Sequence, residues 1–281
     1  MDPVSNYYNA QLSKKDFALL SKFIYDQCGI KLPEYKLVML QSRIQKRLRS
    51  LKIDDFPKYV DYLFSVEGQK HEIIHLLDVV TTNKTDFFRE PVHFEFMEDT
   101  ALPEFSNAGG RNMKIWSAGC SSGEEPYTIA MVLNEFIEGN SRFNYSILAT
   151  DLSTDILQKA ANAVYKMERV DTMPQFYLHK YFMKNKNTDK PLVKVKPNLR
   201  TKISYKRLNF MLPSYDVDKD FNLIFCRNVL IYFERDVQEM VINKLCKHLV
   251  LGGYFFLGHS ESIINMDVPL KQIMPSVYQR I

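Results

Sequence analysis

The chain has 281 residues, of which 46% are hydrophobic and 25% are charged. This composition is ordinary for a folded globular protein and excludes disordered and fibrous classes, and the length suits one large domain or a large and a small one. No apolar run approaches the roughly 20 residues of a membrane span, and the first residues lack the profile of a signal peptide. The four cysteines show no CxxC spacing, which argues against zinc and against a disulfide framework. We therefore expect a cytoplasmic protein that is not inserted in a membrane and holds no metal ion.

The net charge of +4 is unevenly distributed along the chain. Between Lys31 and Lys52 there are seven basic residues and one acid, and between Lys184 and Arg207 there are nine basic residues and one acid. Each run is either a solvated face or a surface for an acidic partner. The sequence leaves both interpretations open.

Helical periodicity dominates residues 12–80. Leu40, Ile44 and Leu48 illustrate it, because they recur at the spacing of one helix face. No stretch here has the alternation of a strand. We predict an all-helical N-terminal domain over residues 1–80.

From residue 113 onward, short apolar runs alternate with helical patterns, which is typical of a parallel α/β sheet. The predicted strands are 113–117, 145–150, 222–226 and 254–258, with 276–280 as a final edge strand. The predicted helices are 126–137, 154–161 and 235–249. Alternating residues at 192–196 and 202–206 break this pattern, so we predict a small antiparallel subdomain inserted over about 181–209.

A loop of small residues follows the first predicted strand. The stretch from Ile115 to Tyr127 reads IWSAGCSSGEEPY, in which Gly119 allows the backbone to turn tightly before a helix begins. Glu124 and Glu125 stand where a phosphate would bind at a helix N-terminus, so a neutral or cationic ligand fits better. The loop by itself is weak evidence, because the GxGxxG spacing of dinucleotide sites is absent.

The second predicted strand ends in a carboxylate, Asp151. This side chain could accept both hydroxyls of a ribose or cap the following helix, although Ser153 is equally able to cap it. The separation from Gly119 exceeds the roughly 20 residues of the nicotinamide fingerprint. Together with the acidic loop, this favours a nucleoside without a pyrophosphate, such as S-adenosylmethionine with its sulfonium and amino groups.

Five ordered segments carry a more specific resemblance. They read TTNKTDFFRE (81–90), WSAGCSSGEEPY (116–127), ATD (149–151), CRNVLIYF (226–233) and GGYFFLGHSE (252–261). These segments resemble the motifs of the CheR family, the chemotaxis receptor glutamate O-methyltransferases, and the similarity spans nearly the whole chain.

The resemblance implies the fold and the domains. It implies a Rossmann-like class I S-adenosylmethionine-dependent methyltransferase domain over 91–281, preceded by an all-α domain over 1–80 that faces the receptor. Residues 81–90 would join the two and contribute to the site, and the inserted antiparallel β-subdomain lies within the catalytic domain. The product would be S-adenosylhomocysteine.

The resemblance also implies the site residues. Arg89 and Tyr232 would be catalytic, and one of Glu124 and Glu125 would meet the methionine end of the cofactor. Aromatic and aliphatic neighbours of these motifs are assigned to core packing instead, namely Phe87, Phe88, Ile231 and Phe233. The residues implied to bind the cofactor are Asn83, Thr85, Arg89, Ala118, Gly119, Glu124, Glu125, Asp151, Asn209, Phe210, Asn228 and Val229.

The expected partner is the cytoplasmic helical domain of chemoreceptors. Arg43, Lys46 and Arg47 share a helix face, and positive charge there would steer an acidic receptor helix. In some relatives the insertion also binds a tethering receptor peptide and carries glycines in its first turn. The corresponding run 184–191 has no glycine, so we expect such a peptide to bind weakly or not at all. We expect a monomer.

Two alternative functions are compatible with parts of this pattern. A nucleic-acid methyltransferase would also use basic patches beside a cofactor fold, but the sequence has no NPPY-type motif and no basic groove with interleaved aromatic residues. A non-catalytic signalling module that binds the cofactor is disfavoured, because both Arg89 and Tyr232 are present.

Overall fold

The structure is a computed structural model that describes residues 10–139, 143–186, 189 and 191–281. None of the helices in these ranges combines the length and the apolarity that crossing a bilayer requires. The described chain consists of a helical N-terminal part, a seven-stranded sheet covered by helices, and a separate three-stranded sheet.

Over residues 10–80, as far as the structure describes them, the N-terminal part is helical and has no strand. Ser13 begins the first helix by accepting the N–H of Asp16, and Gly29 ends it in the left-handed conformation at φ 74°. Leu40, Ile44 and Leu48 are fully buried in a core that belongs to these helices, which confirms the predicted helical pattern. The helices are α1 (Lys14–Cys28), α2 (Leu37–Leu51), α3 (Phe56–Phe64) and α4 (Val66–Val80), with a 3-10 turn at Glu34–Lys36.

The large sheet has the strand order β6-β2-β1-β7-β8-β10-β9. The first five strands in this order run parallel, and β10 and β9 are antiparallel to their neighbours. This sheet confirms the predicted Rossmann-like arrangement. Its strands are β1 (Asn112–Ala118), β2 (Asn144–Asp151), β6 (Ile203–Arg207), β7 (Phe221–Cys226), β8 (Leu249–Leu257), β9 (Leu270–Met274) and β10 (Val277–Arg280).

Helices cover both faces of the large sheet and bury two apolar layers against it. In one layer Phe225 and Phe256 stack from neighbouring strands with their ring centroids 4.2 Å apart. In the other, the Trp116 indole N–H donates to Thr150 Oγ1 at 2.9 Å across β1 and β2. The remaining helices are α5 (Val92–Phe96), α6 (Leu102–Asn107), α7 (Glu124–Glu138), α8 (Thr154–Asn162), α9 (Gln175–Tyr181), α10 (Pro197–Arg200) and α11 (Arg235–Cys246), with a π-helical turn at Met97–Ala101 joining α5 to α6.

The small antiparallel sheet confirms the predicted insertion but not its bounds. Its strands are β3 (Val164–Lys166), β4 (Phe182–Lys184) and β5 (Leu192–Val195), in the order β3-β5-β4. The sheet therefore begins before residue 181. The alternating run 202–206 does not belong to it, because β6 pairs parallel with β2 at the edge of the large sheet. An edge strand with one buried face alternates in either orientation, so the pattern alone could not distinguish the two sheets.

Two further boundaries differ from the prediction. Helix α11 ends at Cys246, and Leu249 begins β8. Leu249 continues the i, i+4 spacing of Val241 and Leu245, which explains the overlong predicted helix. The last strand is an inner strand, because β9 covers its far side. Within β9 only Leu270 is buried, so its composition gave no strand signal.

Candidate active site

A pocket lies where the carboxyl ends of β1, β2 and β7 meet the N-terminal helices and residues 81–90. The order of the strands along the chain reverses at β1, which has β2 on one side and β7 on the other. In an open α/β sheet, ligands usually bind at such a reversal point. The pocket holds about 1110 Å³ including its open mouth. The predicted site residues that line it are Asn83, Thr85, Arg89, Gly119, Glu125, Asp151, Asn209, Phe210, Asn228, Val229 and Tyr232. The structure also describes Ala118 and Glu124, and neither lines the pocket.

The loop after β1 brings its backbone against the pocket floor. Gly119 and Cys120 donate their N–H groups to the carbonyl of Thr150 at 2.7 and 2.9 Å. Gly119 has φ 91°, and a Cβ added there would overlap the side chain of Val229. Glycine is required at this position, because the left-handed backbone disfavours a side chain and a Cβ would clash with Val229.

Asp151 ties together the loops that follow β1 and β2. Its Oδ2 accepts the N–H of Ser121 at 2.9 Å, and its Oδ1 accepts the N–H of Ser153 at 3.0 Å. Ser153 itself caps α8 by accepting the N–H of Ile156 at 3.3 Å. Burial raises the pKa of Asp151, and the backbone donors of Ser153 and Ser121 act in the opposite direction.

The structure separates the two adjacent glutamates that the sequence could not distinguish. Glu125 lines the pocket, where it accepts a bond from Ser117 Oγ at 2.7 Å and one from Arg227 Nη1 at 3.2 Å. Glu124 is turned away and accepts a bond from Arg169 Nη2 at 2.7 Å. Burial raises the pKa of Glu125, while the Arg227 guanidinium opposes that rise. Glu125 is therefore the residue of the pair that a ligand can reach.

Three arginines from different parts of the chain fasten residues 81–90 over the pocket. Arg43 of α2 donates to the carbonyls of Val80 and Thr81. Arg169, from the insertion, and Arg227, which follows β7, hold the rest of the segment. Their partners there are Thr85 O and Asp86 Oδ1 for Arg169, and Arg89 O and Glu90 Oε2 for Arg227. The segment owes its position to these side chains rather than to regular secondary structure.

Within that segment, the Arg89 side chain lines the pocket and donates to the carbonyl of Lys84 at 3.1 Å. The neighbouring acids have other cationic partners. Asp86 pairs with Arg169, and Glu90 pairs with Arg227.

A buried carboxylate, Glu261, holds the loop after β7. It accepts the N–H groups of Asn228, Leu230 and Gly258 at 2.8, 2.7 and 2.6 Å. Asn228 has φ 57°, a strained value for a residue with a side chain, and these bonds compensate for that strain. Sequence reasoning gave Glu261 no role, although it ends the fifth quoted motif.

The N-terminal helices close the pocket from above. Tyr232 lies on a 3-10 turn (Leu230–Tyr232), and its carbonyl accepts the N–H of Lys31 at 3.0 Å. Sequence reasoning missed the pocket-lining residues between the end of α1 and the start of α2, because no local pattern marks a contact between distant segments. They are Cys28, Ile30, Leu32, Lys36 and Met39. Ile231 is 48% exposed, so its assignment to the core is wrong.

The three residues predicted to face a receptor differ in their surroundings. Arg43 donates to Val80, Thr81 and Thr82, as part of the support for residues 81–90. Arg47 forms a two-bond pair with the buried Glu72 at 2.8 and 2.7 Å. Lys46 is exposed. Of the three, Lys46 is the one that presents its charge to solvent.

One group of described residues has the spacing of a possible metal site, namely Glu90, His93 and His259. Both oxygens of Glu90 are already engaged, by Arg227 on one side and by Asn228 and the N–H of His259 on the other. The Arg227 guanidinium supplies the positive charge at this carboxylate. We therefore assign no metal to the group.

The parallel sheet with its pocket at the strand ends is Rossmann-like, and the family model that matches it makes it an S-adenosylmethionine-dependent methyltransferase. The family model described as "CheR methyltransferase, SAM binding domain" matches residues 83–278, and the model described as "CheR methyltransferase, all-alpha domain" matches residues 15–81. The chain belongs to the CheR methyltransferase family.

Three curated relatives carry names of the same kind. The chain is 37% identical to the chemotaxis protein methyltransferase of Borreliella burgdorferi, over 97% of this chain and 96% of that protein. It is 34% identical to the Escherichia coli chemotaxis protein methyltransferase, over 91% and 87%. It is 31% identical to chemotaxis protein methyltransferase 2 of Pseudomonas aeruginosa, over 98% and 96%.

The pocket residues fit S-adenosylmethionine. Gly119 and Val229 pack together at the pocket floor, and Asp151 and Glu125 offer acceptors for hydroxyl and ammonium groups. The negative charge of a pyrophosphate would be repelled by these two carboxylates, whereas a cationic nucleoside would be attracted to them.

Proposed function

We propose that this methyltransferase transfers the methyl group of S-adenosylmethionine to glutamate side chains of chemoreceptor cytoplasmic helices, giving glutamate methyl esters and S-adenosylhomocysteine. The observation that carries the proposal is a pocket in which Arg89 and Tyr232 accompany the strand-end carboxylates Glu125 and Asp151. The names of the curated relatives support the chemotaxis context.

Each end of the cofactor has a matching group in this proposal. Asp151 accepts the ribose hydroxyls, and Glu125 accepts the ammonium group of the methionine end. Asn209 and Phe210 lie beside the adenine, where Asn209 is held by its bond to the carbonyl of Gln27 at 2.7 Å. Asn228 and Val229 form the floor.

The acceptor chemistry explains why these residues suffice. A glutamate side chain has an ordinary pKa of about 4.3 and is ionised at neutral pH, so it needs no general base. The bound cofactor supplies a methyl group activated by positively charged sulfur. Opposite charges then cancel along the reaction, which a closed and oriented site favours over bulk water. Arg89 orients the incoming carboxylate through paired hydrogen bonds, and the Tyr232 hydroxyl aligns it with the methyl group.

Receptor docking is proposed to use the outer face of α2. Lys46 is exposed on this helix, which has no acid in its first turn. Lys46→Glu should raise the receptor KM several-fold at low salt and leave cofactor affinity unchanged, because the exposed charge acts on encounter. Steady-state methylation at two salt concentrations measures this, and a KM equal to that of the unchanged protein would contradict the docking surface.

We further propose that the enzyme acts in the cytoplasm as a monomer and does not bind a tethering receptor peptide on the insertion. The Asn185 side chain is already engaged, since its Oδ1 accepts the N–H of Leu192 at 3.0 Å. Positions 187, 188 and 190 of the predicted turn lie outside the described residues. Titration with the peptide should give no binding below about millimolar concentration, and a low-micromolar Kd would contradict this proposal.

The decisive experiment is transfer of labelled methyl from S-adenosylmethionine to a receptor cytoplasmic fragment. RNA serves as the alternative acceptor, and a fragment whose candidate glutamates are replaced by alanine serves as the matched control. We expect base-labile label on the receptor fragment only. Label on RNA, or none on the receptor, would refute the proposed acceptor.

The catalytic assignment is tested separately. Arg89→Ala and Tyr232→Phe should lower the single-turnover rate at saturating cofactor by about 10-fold or more, because both side chains are proposed to act on the methyl group and its acceptor. Their affinity for S-adenosylhomocysteine, measured by calorimetry, should change much less. Two variants that react at the unmodified rate would remove both residues from the reaction.

A further inference from the structure

Arg227 lines the pocket, but its charge is engaged by two carboxylates. Its side chain is 2% exposed and pairs with Glu125 at 3.2 Å and with Glu90 at 3.1 Å. A third bond from the same guanidinium reaches the carbonyl of Arg89. The face of the guanidinium packs over the Phe94 ring, 5.4 Å from its centroid. One buried cation therefore bridges the pocket carboxylate and the segment that carries Arg89.

We propose that Arg227 is a positioning residue for methyl transfer, which holds Glu125 in its charged, cofactor-facing form and fixes the Arg89 backbone over the pocket. The inference rests on the proposed function for the role of Arg89 and on cofactor binding alone for the role of Glu125. The planar, forked guanidinium group suits both tasks, because one terminal nitrogen donates to Glu125 and the other donates to the Arg89 carbonyl and to Glu90.

The charge of Arg227 matters because Glu125 is buried. Its other hydrogen-bond partner is the neutral hydroxyl of Ser117. The remaining ionisable groups facing it are Glu90, which disfavours its charged form, and Arg89, which favours it. The thiols of Cys120 and Cys226 also face it, and burial raises the pKa of both, so they stay neutral. Without Arg227, burial and the Glu90 charge would act together, and Glu125 would take up a proton at a higher pH.

The fork of Arg227 matters because Arg89 sits on a segment without regular secondary structure. A lysine at this position would keep the positive charge but could not serve Glu125 and the Arg89 carbonyl at once, since it is a single point charge. Arg227→Lys and Arg227→Met therefore separate the two tasks. The lysine variant keeps a cation beside Glu125 but removes the forked contact to the Arg89 carbonyl, and the methionine variant removes the cation and every hydrogen bond that the guanidinium donates.

Arg169 provides the matched control. It also joins a glutamate of α7 to residues 81–90, through Glu124 at 2.7 Å and Asp86 at 3.0 Å. Glu124 does not line the pocket. Arg169→Met therefore loosens the same segment without changing the charge of the pocket carboxylate.

The test measures affinity for S-adenosylhomocysteine by calorimetry from pH 7 to pH 5, a range in which an α-amino group stays protonated. In Arg227→Met the affinity should fall by up to about 10-fold for each pH unit below the new pKa of Glu125, and that fall should begin at higher pH than in the unmodified protein. Arg227→Lys and Arg169→Met should follow the unmodified pH profile. In Arg227→Lys the single-turnover rate on the receptor fragment should nevertheless fall about 10-fold or more.

An unmodified pH profile in a folded Arg227→Met protein would overturn the charge role, and so would an identical shift in Arg169→Met. An unmodified rate in Arg227→Lys would overturn the role of the fork. If thermal unfolding shows that Arg227→Met does not fold, Glu125→Gln replaces it as the deciding variant. This variant should bind S-adenosylhomocysteine weakly, with an affinity that does not change with pH. An affinity that still falls with pH would refute the role of Glu125. The binding measurements involve no acceptor, so they stand even if receptor methylation fails.

Discussion

Replacing Asp151 with alanine should separate ligand binding from loop stability. In the structure this carboxylate accepts two backbone N–H groups, from Ser121 at 2.9 Å and from Ser153 at 3.0 Å, while it also lines the pocket. The substitution therefore removes two bonds within the protein and the proposed acceptor of the ribose hydroxyls.

The two losses differ in size. Hydrogen bonds to a charged group contribute about 1.5 to 3 kcal/mol each, but the Asp151 carboxylate is itself destabilised by burial, and water in the open pocket can satisfy the freed N–H groups. We expect the free energy of unfolding to fall by about 1 to 2 kcal/mol. Cofactor affinity should fall by about 1.5 to 3 kcal/mol, which is about 10-fold to 150-fold in Kd.

Asp78, on helix α4, offers a matched control because it binds the residue that follows the same loop. It accepts the N–H and the hydroxyl of Thr154, both at 2.9 Å, but does not line the pocket. Asp78→Ala should lower the free energy of unfolding by about 1 kcal/mol and change the Kd for S-adenosylhomocysteine by less than about 2-fold. Calorimetry gives both Kd values, and urea unfolding gives both stabilities.

The reasoning would be refuted if Asp78→Ala weakened binding as much as Asp151→Ala, because the effect would then come from the loop alone. An unchanged Kd in Asp151→Ala would remove this carboxylate from the ligand site. Binding of NADH at comparable strength would refute the choice of cofactor.

Two further predictions concern buried ionisable side chains. Arg47→Met should lower the free energy of unfolding by about 3 kcal/mol, because it leaves Glu72, whose side chain is 1% exposed, without its cationic partner. Urea unfolding measures this loss. Adding Glu72→Gln to the same protein should restore part of it. Burial lowers the pKa of His93 to about 3, so the unfolded chain takes up a proton first as the pH falls below about 6.5. Stability should therefore decline by about 1.4 kcal/mol per pH unit between pH 6.5 and about pH 3. His93→Gln should lose that part of the pH dependence, and the variant His179→Gln, at an exposed site, should keep it.

The strand, loop and helix around residues 115–127 could be predicted because their signals are local. Apolar spacing fixes the period of each element, and Gly119 and Asp151 supply the local chemistry at the strand ends. The helical N-terminal part could be predicted for the same reason, since Leu40 and Ile44 mark a buried face through spacing alone. These features depend on residues a few positions apart.

The division of labour between Glu124 and Glu125 could not be predicted. Adjacent residues on a helix point about 100° apart, so only one of them can face the pocket, but their sequence context is nearly the same. The surrounding structure decides, because Arg169 holds Glu124 on one side and Arg227 faces Glu125 on the other. Neither arginine is near these glutamates in sequence.

By itself the sequence determined the class of fold, the family, and most of the residues that meet in the pocket, because motif residues at strand ends must gather at one edge of a parallel sheet. Only the tertiary structure decided that β6 joins the large sheet and that Arg227 bridges Glu90 and Glu125. It also decided that Arg43 and Arg47 bind groups of the protein itself, the Thr81 carbonyl and Glu72. Glu90 and Arg227 are separated by 137 positions. Contacts over such distances depend on how whole elements pack, and no local pattern of residues encodes them.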